Sequence, residues 1–287
     1  MKFQFIENIH INMNVKVVCD WLGDLPFGVN KSTGLAIDSF HLFPENMFRI
    51  FYACEPSVVL GSVIPWLLEN HHHFDVVMTH DDRLLNVIPN AYGMHWTTTM
   101  ILEKEYGLFS YDNKKFQVSF ICGGKLFTPG HLKRKECWDK QKEIAIPKRM
   151  FHSTAYIGSL QKYDTEPLPK ETKSPAFTDS MFHIAIENCQ IKGYFSEKLV
   201  DCFVSRTVPI YLGCPNIGDF FDVRGIIIAK DVDDIINICN NLTEEDFYSR
   251  KEFVEHNRII SLEKYPNDVP KGLYYHMKDM LESNGLI

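Results

Sequence analysis

Residues Phe182–Phe221, FHIAIENCQIKGYFSEKLVDCFVSRTVPIYLGCPNIGDFF, decide how the chain folds. Phe182 to Ile186 is a short apolar run of strand type, stopped by the polar pair Glu187 and Asn188. Gly193 punctuates the loop that follows, and Ser196 offers a helix N-cap before Glu197, Lys198 and Leu199. Leu199, Val200, Phe203 and Val204 recur at helical spacing, which predicts a helix with one buried face. Thr207 to Leu212 is rich in β-formers and ends at Gly213, where the backbone can turn sharply. The stretch is one strand–helix–strand unit, with its polar residues gathered between the first strand and the helix. In open α/β sheets ligands bind at this edge, outside the carboxyl ends of the strands.

The chemistry of the loop points to a phosphorylated ligand. Free N–H groups at a helix N-terminus attract anions, and Lys198 adds a full positive charge in the first turn. A lysine so early in a helix opposes the macrodipole, so an anion is expected to compensate it. Glu197 can accept hydrogen bonds from a polyol. Taken alone, Ser196, Glu197 and Lys198 would read as ordinary capping beside a solvated charge.

The wider pattern is more specific. Glu187-Asn188, Tyr194 and Ser196-Glu197-Lys198-Leu199, followed by Val208-Pro209-Ile210-Tyr211 and Gly213, closely resemble the donor-binding signature of family 10 glycosyltransferases, the α-1,3/4-fucosyltransferases. Cys189 stands where the family usually has Ser or Thr, a small-for-small change. The resemblance implies an α/β chain of GT-B architecture: two Rossmann-like domains facing across a cleft, with GDP-fucose held by the second. It implies inverting, α-1,3-like transfer of fucose to a hydroxyl of a glycan acceptor, with no cofactor. Side-chain cations, Lys198 and Arg134, would neutralise the diphosphate in place of a metal. Arg134 matches through its place in the R-x-x-x-W segment ending at Trp138, with Lys133 and Lys135 one residue away. Glu197 and Tyr194 would hold the sugar, and Asn188 the sugar or the diphosphate.

The family also places a glutamate base at the end of an early first-domain strand, and Glu55 in Phe51-Tyr52-Ala53-Cys54-Glu55-Pro56 matches that position. The residues themselves agree. The run before Glu55 is apolar, so its carboxylate emerges at a strand's carboxyl edge. Partial desolvation there would raise its pKa toward a value useful for taking a proton. A Glu that merely caps a helix before Pro56 is the competing reading, and Asp20 and Asp81 are reserve candidates for the base.

Bulk properties narrow the class. The 287 residues, 45% of them hydrophobic, can bury the cores of one large or two small domains. A net charge of -7 and a pI near 5.9 argue against a nucleic-acid or anionic-membrane partner. No stretch approaches the roughly 18 apolar residues of a membrane-spanning helix. The first residues, MKFQFIENIHINMN, are too polar for a signal peptide or the anchor of Golgi fucosyltransferases. Eight cysteines without framework spacing fit reduced thiols in a soluble, cytoplasmic protein. The sequons at Asn30 and Asn241 then match by chance.

Along the chain, Val15–Cys19 reads as a first parallel strand and Phe48–Tyr52 as a second, before an amphipathic helix over Val59–Leu68. His71, His72 and His73 are adjacent, which prevents them from converging on a metal, so they read as a polar loop before a strand at Phe74–Met78. A further strand is expected after Pro89-Asn90-Ala91. The polar stretch from Tyr106 to Lys115 reads as an interdomain linker, giving an acceptor-side domain over 1–112 and a donor domain over 113–268. The tail, 269–287, is expected to be a helix that can pack back on the first domain. Val118–Cys122 starts the second domain as a strand, followed by a basic helix holding Lys133, Arg134 and Lys135. Pro147 to Ser180 reads as a long surface loop. Asp231-Val232-Asp233 spells the DxD of metal-dependent glycosyltransferases, but its place at a helix start makes capping the better reading.

Other classes fit less well. Neither opening strand is followed by GxGxxG, as a nicotinamide dehydrogenase requires, and there is no GxxxxGK(S/T) of a P-loop NTPase. The alternatives that stay open are a transferase using another nucleotide sugar and a non-catalytic nucleotide-sugar or glycan-binding module.

Overall fold

A computed structural model describes residues 18–21, 33–153 and 165–287. Part of the predicted first strand (15–17) and the Asn30 sequon lie outside them. The chain divides into two compact units, Met1–Trp96 with Pro270–Ile287, and Thr97–Val269. The division falls at 96/97 and not within the Tyr106–Lys115 stretch. That stretch is polar yet packed: Phe109 is buried in the second unit's core, and the buried Lys114 donates to the Phe177 carbonyl at 2.6 Å.

The first unit is a five-stranded sheet: β1 (Val18–Trp21), β2 (Thr33–Ile37), β3 (Phe48–Ala53), β4 (Val76–Thr79) and β5 (Ala91–Gly93), side by side in that order. From β2 to β5 the strands are parallel. Two expectations fail here. β1 runs antiparallel to β2, so it is an edge strand and not the first parallel strand. β2 itself is missed by the sequence reading, because TGLAI is short and holds a glycine; Gly34 stays small because a Cβ would lie 2.3 Å from the Phe43 ring. The helix predicted over Val59–Leu68 is two, α1 (Ser57–Leu60) and α2 (Val63–Asn70), broken where Gly61 adopts φ +31°. Pro65 then falls in the first turn of α2, where no N–H is missed. α3 (Asp82–Val87) links β4 to β5. The chain's last helix, Val269–Ser283, contributes Leu273, Met277, Met280 and Leu281 to the same core as Ile50, Val76 and Met78.

The second unit is built on β6 (Lys115–Cys122), α4 (Pro129–Asp139), β7 (Lys148–His152), β8 (Glu166–Pro167), β9 (Ser180–Ile186), α5 (Glu197–Val204), β10 (Val208–Leu212) and β11 (Ile227–Ile228). α6 (Val232–Asn241), α7 (Glu244–Tyr248) and α8 (Lys251–Lys264) follow. Its six strands are all parallel, in the order β8-β7-β6-β9-β10-β11. The strand order reverses between β6 and β9, which makes that gap the topological switch point. β9 is buried along its whole length, as its continuous apolar run requires, with Phe182, Ile184 and Ile186 facing α4 and α6, and Ala185 facing α5. β7 lies inside the stretch read as a loop; Lys148 and Arg149 are too polar to signal a strand, yet Met150 and Phe151 bury.

Among the described residues no helix is long and apolar enough to cross a membrane. Cys122, Cys137, Cys189, Cys202, Cys214 and Cys239 are buried and form no disulfide among the described residues.

Candidate functional site

The site is assembled at the carboxyl end of β9. Glu187, the first residue beyond the strand, is 1% exposed. Its carboxylate accepts from the Ser196 N–H at 2.9 Å and the Ser196 hydroxyl at 2.6 Å, tying β9 to the N-cap of α5. Burial pushes its pKa up, against the pull of Lys198 and Ser196. Gly130 and Gly213 permit this packing: a Cβ would lie 1.7 Å from the Glu187 carbonyl oxygen at the first, and 2.5 Å from Glu187 Cγ at the second. The sequence reading used Glu187 as a strand end and as the first residue of the family-like signature, without assigning it this anchoring part. Its signal was a lone carboxylate closing an apolar strand nine residues before a serine N-cap.

Arg134 is one of three neighbouring cations on α4. It points inward and is 7% exposed, whereas Lys133 and Lys135 are half-buried and Lys135 pairs with Asp139. Its guanidinium donates to the Ile186 carbonyl and, at 2.9 Å, to Asn188 Oδ1. Asn188 passes the chain on, donating to the Tyr194 hydroxyl at 3.1 Å. Arg134, Asn188 and Tyr194 are therefore one hydrogen-bonded array. Among the described residues no carboxylate stands within ion-pair distance of Arg134; burial lowers its pKa, against the pull of Glu187, Cys122 and Glu197.

Glu197 and Lys198 open α5, as predicted. The expected compensation of Lys198 by an outside anion is in part supplied from within. Its Nζ lies 3.2 Å from Glu197 Oε1, 3.1 Å from Ser196 Oγ and 3.9 Å from Glu187 Oε2. Lys173, missed in the irregular stretch before β9, pairs with Glu197 at 3.3 Å and with Asp201 at 3.2 Å. Burial alone would raise the Glu197 pKa; Lys198 and Lys173 overcome it and hold the carboxyl well below its usual range. Asp201 is fully buried, its pKa raised by desolvation, and it also accepts from Met100 N–H at 2.7 Å. Glu197 is thus a fixed, ionised acceptor.

Arg134, Glu197, Lys198 and Lys173 line one cavity of about 240 Å3, together with Gly123, Lys125 and His131. It lies at the switch point between β6 and β9, the position sheet topology reserves for a ligand. Asp231 is an N-cap, accepting from the Asp234 N–H at 2.8 Å. The three adjacent histidines form a single 3-10 turn, and no cluster of metal-ligating side chains occurs among the described residues.

The first unit carries the remaining candidates. Glu55 follows β3 and is half-buried. Its N–H donates to Asp38 Oδ2 at 3.1 Å, and the Cys54 N–H donates to Asp38 Oδ1 at 2.8 Å. Asp38 is itself buried, with a left-handed φ of 50°, a conformation an aspartate tolerates where its carboxylate is tied locally. Of the reserve bases, Asp81 caps α3 and pairs with Arg83 at 2.5 Å; burial would raise its pKa, but those bonds lower it. Asp20 lies within β1 and not beyond its end. Asp81 does stand just beyond the carboxyl end of β4, as the sequence reading places it.

Comparison with known proteins bears on the fold and on the segment that holds most of these residues. The two α/β units have the fold of the GT-B glycosyltransferases: the Anabaena protein Alr3699/HepE, solved with UDP and glucose, superposes with a TM-score of 0.56 over 84% of this chain and 72% of its own, at 8% identity. Residues 144–257 match the family model "Glycosyltransferase family 10 (fucosyltransferase) C-term". That segment holds Asn188, Tyr194, Glu197 and Lys198, while Arg134 precedes it. An α-(1,3)-fucosyltransferase of Helicobacter pylori is 31% identical over 61 residues, which is 21% of this chain and 13% of that protein's length. A crystal structure of an α1,3-fucosyltransferase with GDP-fucose aligns over 76% of this chain and 68% of its own, at 17% identity and a TM-score of 0.49.

Proposed function

We propose that the protein is an inverting fucosyltransferase that moves fucose from GDP-fucose to a hydroxyl of a glycan acceptor, with α-1,3 linkage. The observation that carries the reading is the cavity at the switch point of the second unit, where Arg134 and Lys198 converge within and beside the segment that matches the family 10 model. In this reading the diphosphate lies against Arg134 and Lys198. Tyr194 and the ionised Glu197 hold the sugar, and Asn188, already bonded to Arg134 and Tyr194, contacts sugar or diphosphate.

The acceptor oxygen attacks the fucose anomeric carbon, its proton passes to the Glu55 carboxylate, and the bond to the β-phosphate breaks to release GDP. Negative charge grows on the leaving phosphate as that bond lengthens, so Arg134 and Lys198 bind the transition state more strongly than the ground state. Donor binding then needs no metal.

A thermal-shift panel tests the assignment. Because ligand binding raises apparent stability by RT ln(1 + [L]/Kd), GDP and GDP-fucose should raise Tm while UDP-glucose and NAD leave it unchanged. Equal stabilisation by UDP-glucose would transfer the reading to another nucleotide sugar. Donor binding without turnover on any glycan acceptor would make the protein a binding module.

A further inference from the structure

The cavity contains a further buried polar group to which the proposed reaction gives no part, His131. It stands in the first turn of α4, is 8% exposed, and lines the same space as Lys125, Arg134 and Lys198. Thr128 fixes its ring. The Thr128 backbone N–H donates to Nδ1 at 3.2 Å, the Thr128 hydroxyl lies 2.8 Å from the same nitrogen, and the His131 N–H donates to Thr128 Oγ1 at 3.1 Å. A ring nitrogen that accepts from an amide carries no proton, so the neutral imidazole bears its hydrogen on Nε2. Phe127 packs edge-on against the ring with centroids 4.5 Å apart.

The backbone at this helix end is already occupied. Gly130 N–H donates to the Asn188 carbonyl at 2.8 Å and His131 N–H to Thr128, so recognition of an anion here falls to side chains. Another cation would be repelled by Arg134, Lys125 and Lys198. A neutral N–H donor is not, and the capping box holds it in place before ligand arrives. We propose that His131, through Nε2–H, is a third hydrogen-bond donor to the diphosphate of the bound nucleotide, beside Arg134 and Lys198, an inference that rests on the donor-site reading above. Burial, and then Arg134, Lys125 and Lys198, keep the pKa of His131 down to about 4, which preserves the neutral donor at ordinary pH.

Two variants separate binding from folding. His131→Asn sets an amide oxygen where Nδ1 accepts from Thr128 but removes the Nε2–H donor. His131→Gln extends an N–H toward the Nε2 position and gives up the Nδ1 contact. Calorimetric titrations with inorganic pyrophosphate and with GDP, each paired with a Tm, read the outcome. His131→Asn should weaken both ligands about ten-fold or more while Tm stays near wild type, and His131→Gln should bind better than His131→Asn despite a lower Tm. Wild-type affinity in His131→Asn, or losses that only follow Tm in both variants, would overturn the proposal. If the wild type binds pyrophosphate in a His131-dependent way but not GDP, the anion role stands and the GDP-sugar reading fails. If it binds neither, both fail.

Discussion

In the second unit, the buried Glu187 and Asp201 and the half-buried Glu197 are carboxylates held among Ser196, Lys198 and Lys173, all within or beside one strand–helix junction. In the first unit, Asp38 binds the backbone amides of Cys54 and Glu55 across two neighbouring strands, and Glu55 itself is half-buried. The arrangement in the second unit fixes charges in advance, whereas that in the first holds the backbone at the end of a strand. The second unit's network depends on local sequence; the first unit's depends on which strand ends the sheet brings together.

The largest effect that would sharpen this contrast is loss of the Glu187 anchor. Glu187→Ala strands the Ser196 N–H and hydroxyl and leaves Lys198 without one of its two carboxylates. It should cost about 3–5 kcal/mol, read as a lower denaturant midpoint. A midpoint near wild type would mean the junction is held elsewhere.

Glu55→Gln is expected to act on turnover alone. It keeps shape and removes basicity, so transfer should fall by roughly 10²-fold or more while GDP-fucose affinity stays near wild type. Undiminished transfer on an identified acceptor would take the role of base away from Glu55 and erase the functional half of the contrast.

Arg134→Ala and Lys198→Ala should each weaken GDP-fucose binding by about 1.5–3 kcal/mol, since a charge-assisted bond to phosphate is lost. EDTA should leave that binding unchanged. A requirement for added Mn²⁺ would sink the side-chain account.

Acid should act on both units. Burial holds His80 in the first unit to about 4, and His131 and His183 in the second to about 4 and about 3, against an ordinary 6.5. As pH falls through 6.5 the unfolded chain takes up these protons and the folded chain does not. Stability present above that pH therefore drains away, by up to ~1.4 kcal/mol per pH unit for each histidine, until the folded values are reached. Melting curves of wild type and His183→Gln at several pH values check this; an unchanged slope in the variant would remove His183 as a source.

The smallest effect is expected at Asp231. Asp231→Ala should cost ~1 kcal/mol through the lost cap of α6 and leave donor binding intact. Abolished donor binding in that variant would restore the metal-binding DxD reading.

Sequence alone determined β9, α5 and β10, because a fully buried parallel strand must be continuously apolar and a helix start must be capped, and both signals lie within a few residues of one another. The place of Glu197 and Lys198 at the start of α5 was legible for the same reason, whereas Asn188 and Tyr194 were singled out only through the family-like signature. The antiparallel β1 and the short β2 were not, since pairing direction is set by partners distant in sequence and Gly34 is explained only by the Phe43 ring against it. β7 was hidden by Lys148 and Arg149; Arg149 pairs with Glu166 and Asp179, and Lys148 donates to the Ile144 carbonyl. Lys173, Asp201 and Thr99 meet across 28 and 102 positions of sequence, a network that no local pattern encodes. Burial chose Arg134 over Lys133 and Lys135: one helix presents three cations, and only the sheet beneath it decides which one faces inward.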